Sequence, residues 1–253
     1  DMAAIGAIAR EHGLRVIEDA AHAFPTTWGG RLVGTLDSDA TVFSFYANKT
    51  MTTGEGGMVV SRDAAMIERM RAMRLHGINR DAFTRFQSKT PAWYYEVVAP
   101  GFKYNMTDVA AAMGVIQLTR IGEFVEKRDA LARRYDELLQ GLPLILPPRP
   151  RQGDTHAWHI YAIRLQEGTE TLDTRARFIE LLSEAGIGTS VHYIPLHRQP
   201  YWRDRYNLDP EAYPQADLAY HQLVSLPLYT KMTLADVDRV VSAIRQALKD
   251  LGE

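Results

Sequence analysis

Ser44-Phe45-Tyr46-Ala47-Asn48-Lys49-Thr50-Met51-Thr52-Thr53-Gly54-Glu55-Gly56-Gly57 joins the end of a short apolar run, Ala40 to Phe45, to a loop carrying one lysine and three glycines. Asp19 lies 30 positions before that lysine, in the run Val16-Ile17-Glu18-Asp19-Ala20-Ala21-His22-Ala23, at the end of another apolar segment. The first run predicts a strand over Ala40 to Phe45. The second predicts a buried strand over Leu14 to Ile17, with turn chemistry at Gly29-Gly30, Gly34 and Asp37-Ser38-Asp39 between them. A third strand is expected over Gly57 to Ser61, then a helix over Ala64 to His76 closed by Gly77. Strands and helices that alternate in this way predict an α/β layer.

Working outward, Asp1 reads as the N-cap of a helix carried by Met2, Ile5 and Ile8 and closed by Gly13. A chain that opens on a cap directly ahead of a strand reads as a piece of something longer. From Asn79 to Pro100 the sequence is irregular, aromatic and charged, the length and character of a functional loop. Thr107 caps a long helical stretch expected to run to about Leu139, since Val109, Met113, Ile116, Ile121, Phe124 and Val125 recur at helical spacing. After the proline-rich break from Pro143 to Pro150, a strand is predicted over His156 to Leu165, a helix over Thr174 to Glu184 and a strand over Gly188 to Ile194. A last helix opens at Thr233 with the stripe Val237, Val240, Val241, Ile244 and Leu248. Residues 1–120 are therefore expected to form one α/β domain, and 121–253 a smaller α+β domain joined by the long helix.

A chain of 253 residues that is 46% hydrophobic can bury a substantial core. Its formal charge of -2 supplies no net attraction to nucleic acid or to an anionic membrane. No apolar stretch approaches the roughly 20 residues of a membrane helix, and no signal peptide is evident. With no cysteine, disulfides and thiolate metal sites are excluded, which fits a cytoplasmic enzyme.

An aspartate at the carboxyl end of a strand stands where open α/β sheets place ligand groups, although aspartate is also a common helix cap. A lysine in an apolar pocket loses pKa to desolvation and frees its amine to attack an aldehyde, although most lysines are solvated. Together the pair suits pyridoxal phosphate, with Lys49 able to form an imine and Asp19 able to hold the ring nitrogen protonated. The glycine loop from Thr52 to Gly57 either aims N–H groups at phosphate or forms an ordinary turn. His156 and His159, three apart on a predicted strand, would lie on opposite faces, and no carboxylate stands at a matching spacing, so no metal site is expected. Trp93, Tyr94 and Tyr95 either stack on a base or pack down on their own domain.

The two quoted segments resemble the DegT/DnrJ/EryC1/StrS family of sugar aminotransferases. So do Pro100-Gly101-Phe102-Lys103-Tyr104-Asn105-Met106-Thr107-Asp108, His156-Ala157-Trp158-His159 and Gly186-Ile187-Gly188-Thr189-Ser190-Val191-His192, in the same order. The resemblance covers the whole chain. It implies the aspartate-aminotransferase-like fold, fold type I, with the C-terminal part of the large cofactor domain followed by the small one. It also implies pyridoxal 5'-phosphate as cofactor, glutamate as amino donor and a nucleotide-linked keto sugar as acceptor. The Lys103-Tyr104-Asn105 and His156-Ala157-Trp158-His159 forms look most like enzymes that aminate UDP-linked 4-keto sugars, including the 4-amino-arabinose type.

Carried over by position, the resemblance implies that Lys49 makes the covalent link to the cofactor and shuttles a proton. Asp19 pairs with the ring nitrogen, His22 lies near the ring hydroxyl, and Ser44 binds the cofactor phosphate. Asn105 reaches the phosphate of the partner subunit's cofactor, so a homodimer with shared active sites is expected; from sequence alone it is as readily a turn residue before the Thr107 helix. Arg80, Lys103, His192 and His197 are candidate substrate contacts. The family's upstream region carries a Gly-Thr phosphate loop and an aromatic residue that stacks on the ring. Neither is present here, so the chain alone is expected to bind cofactor poorly. Two alternatives stand beside transamination. A sugar dehydratase of the same fold would carry histidine in place of Lys49. A noncatalytic regulatory module would need a DNA-binding segment; the C-terminal amphipathic helix carries no basic extension, which leaves such a segment to a region upstream of this chain.

Overall fold

The computed structural model describes residues 1–79, 93–166 and 172–252. The chain forms two compact units, one of Asp1–Gly122 with Arg151–Ala157 and one of Glu123–Pro150 with Trp158–Glu253.

The first unit opens with helix α1, Met2–Glu11, where the Asp1 carboxylate accepts from Ala3 N and Ala4 N. The left-handed Gly13 ends it (φ 62°), and Leu14 N still donates to Ala9 O, so Leu14 belongs to the helix exit. Strand β1 therefore spans Ile17–Asp19, later than the expected Leu14 to Ile17. It is not buried either, for Ile17 is 70% exposed. The two-residue strands β2, Thr27–Trp28, and β3, Arg31–Leu32, make a small hairpin. Strand β4, Ala40–Ser44, runs parallel to β1 with Asp19 opposite Val42, and β5, Gly57–Val60, pairs with β4 antiparallel. The sheet order is β1-β4-β5. Ala20, Phe43, Phe45 and Met51 form its buried cluster, with Phe24, Val60, Met106 and Ile121 packed on them. Burial of the phenylalanine and methionine side chains among them contributes about 1.5–3 kcal/mol each.

Helix α2, Ala64–Met73, is capped by Asp63, whose side chain accepts from Met66 N. The expected single helix from Thr107 to Leu139 is instead two, α3, Asp108–Thr119, and α4, Ile121–Leu139, broken at Arg120. Apolar periodicity runs through a break of one residue, which is why the sequence conceals it. Segment Arg151–Ala157 returns to the hairpin, where the Asp154 carboxylate accepts from Gly29 N at 3.0 Å and Gly30 N at 2.8 Å.

In the second unit, the antiparallel sheet β6-β7-β8 consists of Leu144–Ile145, Tyr161–Leu165 and Leu223–Leu226. Tyr161, Ile163 and Leu165 alternate inward and are buried. They meet Phe178 and Leu182 of α5, Leu172–Glu184, and the apolar stripe of the last helix, Leu234–Leu251. Thr233 and Asp236 cap that helix reciprocally. Between β7 and it come a 3-10 turn, Leu196–Arg198, and helices α6, Pro200–Tyr206, and α7, Pro214–Gln222; the last helix is α8. Arg128 is 5% exposed and ties the connections together, donating to Trp158 O at 2.8 Å and to Leu228 O at 3.1 Å. Burial pushes its guanidinium down to about 10.

Two expected strands are corrected. His156 to His159 lie outside β7, because Trp158 takes a left-handed backbone (φ 45°) while its indole N–H donates to Asp129 at 3.0 Å. Gly188 to Ile194 forms no strand. Only Ser190 pairs with the sheet, exchanging both backbone bonds with Ser225, before the chain turns at Pro195 into the 3-10 segment.

Candidate active site

Because β1 and β4 run parallel, their carboxyl ends lie at the same edge of the sheet. That edge is where the loops of an open α/β sheet collect ligand groups. Asp19 ends β1 and Ser44 ends β4, and the loop after β4 carries Lys49. Asp19 is exposed, and one carboxylate oxygen accepts from Ala21 N at 3.0 Å, which turns the chain toward the exposed His22. The Ser44 hydroxyl accepts weakly from Tyr46 N at 3.3 Å.

Lys49 is half-buried between the exposed Asn48 and the buried Thr50 and Met51. Burial holds its ammonium below the ordinary lysine value, and the nearby Asp19 carboxylate pulls it back up. This result connects the lysine loop electrostatically to the end of β1. An amine so placed loses its proton more readily than a solvated lysine and can act as a nucleophile.

The loop is held from inside. Thr53 N donates to Phe45 O at 2.9 Å, Phe45 N to Gly56 O at 2.8 Å, and Gly54 N to the Thr52 hydroxyl at 2.9 Å. Gly54 has φ 79° and Gly56 φ 159°, both in the range that favours glycine. At Gly56 a side chain would also collide with the Thr53 hydroxyl. Among the described residues one side-chain bond reaches the loop from a helix, from Thr52 N to Gln117 Oε1 of α3 at 2.9 Å. Sequence reasoning passed over Gln117, whose signal was an amide three positions after Gly114 in a stretch, Val109 to Leu118, that is otherwise apolar.

Asn105 lies in the same unit, half-buried, accepting from the exposed Lys103 ammonium and donating to Met106 O at 3.4 Å. Met106 packs on the cluster of Ala20, Phe43, Phe45 and Met51 that backs the lysine loop. Arg80 lies outside the described residues. His192 and His197 belong to the second unit. His192 Nδ1 is 2.8 Å from the Ser225 hydroxyl. His197 is 5% exposed, with Nε2 2.7 Å from the Asp217 carboxylate and its ring stacked on Tyr213. Arg198 donates to both oxygens of Asp217, at 2.7 and 2.8 Å, and holds that carboxyl well below the usual range. Trp93, Tyr94 and Tyr95 are exposed, and the Tyr94 hydroxyl donates to Glu96 at 2.9 Å. Among the described residues no three His, Asp or Glu side chains gather as a metal site, and no helix is long and apolar enough to cross a membrane.

Comparison with known proteins places these residues in context. The DegT/DnrJ/EryC1/StrS aminotransferase family matches residues 1–245. The spore coat polysaccharide biosynthesis protein SpsC of Bacillus subtilis is 41% identical over 98% of the chain and 64% of its own length. The Spr1654 protein of Streptococcus pneumoniae, in its PMP-form, superposes with a TM-score of 0.85 at 30% identity, covering 94% of this chain and 59% of that one. PseC of Helicobacter pylori, an aminotransferase involved in the biosynthesis of pseudoaminic acid, does so with a TM-score of 0.85 at 26% identity, covering 96% and 62%. The chain thus spans less than two thirds of the length of these relatives.

Proposed function

Since this chain belongs to the DegT/DnrJ/EryC1/StrS aminotransferase family, we propose that it carries the catalytic lysine of a pyridoxal 5'-phosphate-dependent sugar aminotransferase. The observation that carries the reading is the half-buried Lys49 amine, lowered in pKa by burial and coupled to the Asp19 carboxylate. Support for the cofactor comes from Spr1654, whose structures include a PLP-form and a PMP-form.

The residues present fit the group. When bound, pyridoxal phosphate supplies an aldehyde and a ring that accepts the electron pair released at a substrate carbon. Lys49 offers the amine that attaches to the aldehyde, and afterwards the base that moves a proton. Asp19, negatively charged at the end of β1, favours a protonated ring nitrogen. Ser44 offers a hydroxyl to the phosphate, and His22 is assigned to the neighbourhood of the ring hydroxyl. Asn105 is assigned to the cofactor phosphate of a partner subunit, which makes the functional unit a homodimer. Lys103, Arg80, His192 and His197 remain assigned to substrate, with His197 acting from its bond to Asp217.

The amino donor we assign is glutamate, and the acceptor is a keto group on a nucleotide-linked sugar, a UDP-4-keto sugar by the form of the Lys103-Tyr104-Asn105 motif. The involvement of SpsC in spore coat polysaccharide and of PseC in pseudoaminic acid biosynthesis supports a sugar acceptor. The test uses the intact protein, with borohydride reduction after cofactor addition and peptide mass analysis, and then glutamate-dependent amination of a panel of keto-sugar nucleotides. A reduced adduct on Lys49 and loss of turnover in Lys49→Ala are expected. Full turnover in Lys49→Ala overturns the proposal.

A further inference from the structure

We infer that Gln117 is a positioning residue for Lys49. Its side-chain carbonyl holds the backbone of the lysine loop through the Thr52 amide. The inference rests on the reading of Lys49 as the cofactor-binding amine and extends it to α3, where Gln117 lies 65 positions after Thr52.

Three contacts from one stretch of chain meet the loop in order. A Cβ at Gly56 would stand 2.9 Å from Met106 Cε, just ahead of α3. A Cβ at Gly114 would stand 2.9 Å from Thr53 Cγ2, so only glycine lets the helix approach this closely. Gln117, one helical step further on the same face, accepts from Thr52 N at 2.9 Å. Among the described residues the loop's other hydrogen bonds close on residues 44 to 56 and maintain its internal shape, while Phe45 and Met51 seat it on the buried cluster by apolar packing, which has no direction. Gln117 adds to that packing a directional bond from α3 that fixes where the backbone at Thr52 stands. The half-burial of Lys49 depends on where the loop stands, and so does the lowering of its pKa. A loop released from Gln117 exposes the amine to water and moves it away from the edge that Asp19 and Ser44 define.

The test compares the intact wild type with Gln117→Met and Gln117→Glu. Methionine matches glutamine in length and helix propensity but offers no comparable acceptor, whereas glutamate keeps one. In the protein without added cofactor, exchange of the Thr52 amide by NMR is expected to be about tenfold faster in Gln117→Met and near wild type in Gln117→Glu. In cofactor-capture experiments, the pH midpoint for borohydride-trapped pyridoxal phosphate on Lys49 is expected to move upward in Gln117→Met, because a rehydrated amine keeps its proton to higher pH. A helix residue with a merely structural role would lower stability without moving that midpoint. Unchanged exchange and an unchanged midpoint in Gln117→Met overturn the inference. A wild type that traps no cofactor on Lys49 overturns the reading of Lys49 instead, and the exchange comparison still decides whether Gln117 holds the loop.

Discussion

Gly77 and Gly101 cross with no room for a side chain between them, since a methyl group added to Gly101 would overlap the Gly77 backbone nitrogen. His76 and Gly77 are both left-handed, at φ 57° and 71°, and His76 N donates to Phe102 O at 2.8 Å. This crossing lays the segment that leads to Lys103 and Asn105 against the end of α2.

Gly101→Ala is therefore expected to destabilise the protein by about 1–3 kcal/mol or more, the cost of overpacking against atoms that cannot move aside. Gly122→Ala is the control. Nothing lies within 4 Å of its Cβ position in α4, and the change is expected to be neutral or stabilising by up to about 1 kcal/mol. Urea midpoints of both variants check the contrast, and equal midpoints would contradict it.

Replacing Asp19 with asparagine removes the charge that raises the Lys49 pKa and leaves the desolvation that lowers it. Lys49 in Asp19→Asn is expected to lose its proton at lower pH than in the wild type. Reductive methylation with isotope-labelled formaldehyde, followed by NMR titration of the dimethylated lysine, reads this directly. A midpoint shifted upward would show that Asp19 does not act on the amine.

Asp217 is ionised in the fold well below the pH at which an unfolded aspartate loses its proton, about 3.9. Its contribution to stability is complete above that value and fades as pH falls through the lower folded value. Asp217→Asn is expected to cost about 1.5–3 kcal/mol at neutral pH, the range for hydrogen bonds to a charged group, and progressively less below pH ~4. Parallel stability curves for the two proteins from pH 7 to pH 2 would refute this linkage.

Two substitutions in or beside α8 separate packing from capping. Ile244 is fully buried, and Ile244→Ala is expected to cost about 2–5 kcal/mol. Thr233→Ala removes a cap at the exposed helix end and is expected to cost about 1 kcal/mol. Thermal unfolding of both variants measures the order, and a costlier cap than core would contradict the packing described for this helix.

Much of the secondary structure was legible in the chain, as was the loop that carries Lys49 between two strands. Asp1, Thr107 and Thr233 announced three helix starts, because a cap is a bond between residues two or three positions apart. The α8 stripe and the inward alternation of Tyr161, Ile163 and Leu165 were equally local. The break at Arg120 and the non-strand path through Trp158 were not. The first interrupts no apolar period, and the second is imposed by the bond from the Trp158 indole to Asp129, 29 positions away.

By itself, the order of residues determined the capped helix starts at Asp1, Thr107 and Thr233, the strands that enclose the lysine loop, and which loop bears the lysine. Those properties follow from periodicity, turns and caps within a few positions. Tertiary structure alone decided that β1 and β4 align in parallel, so that Asp19 and Lys49 act on each other. It also decided that His197 turns to Asp217, that Arg128 is buried on backbone carbonyls, and that Gln117 reaches Thr52. Each of these depends on distant segments packing at one register, and that register is set by the shared burial of side chains rather than by any neighbour in the chain.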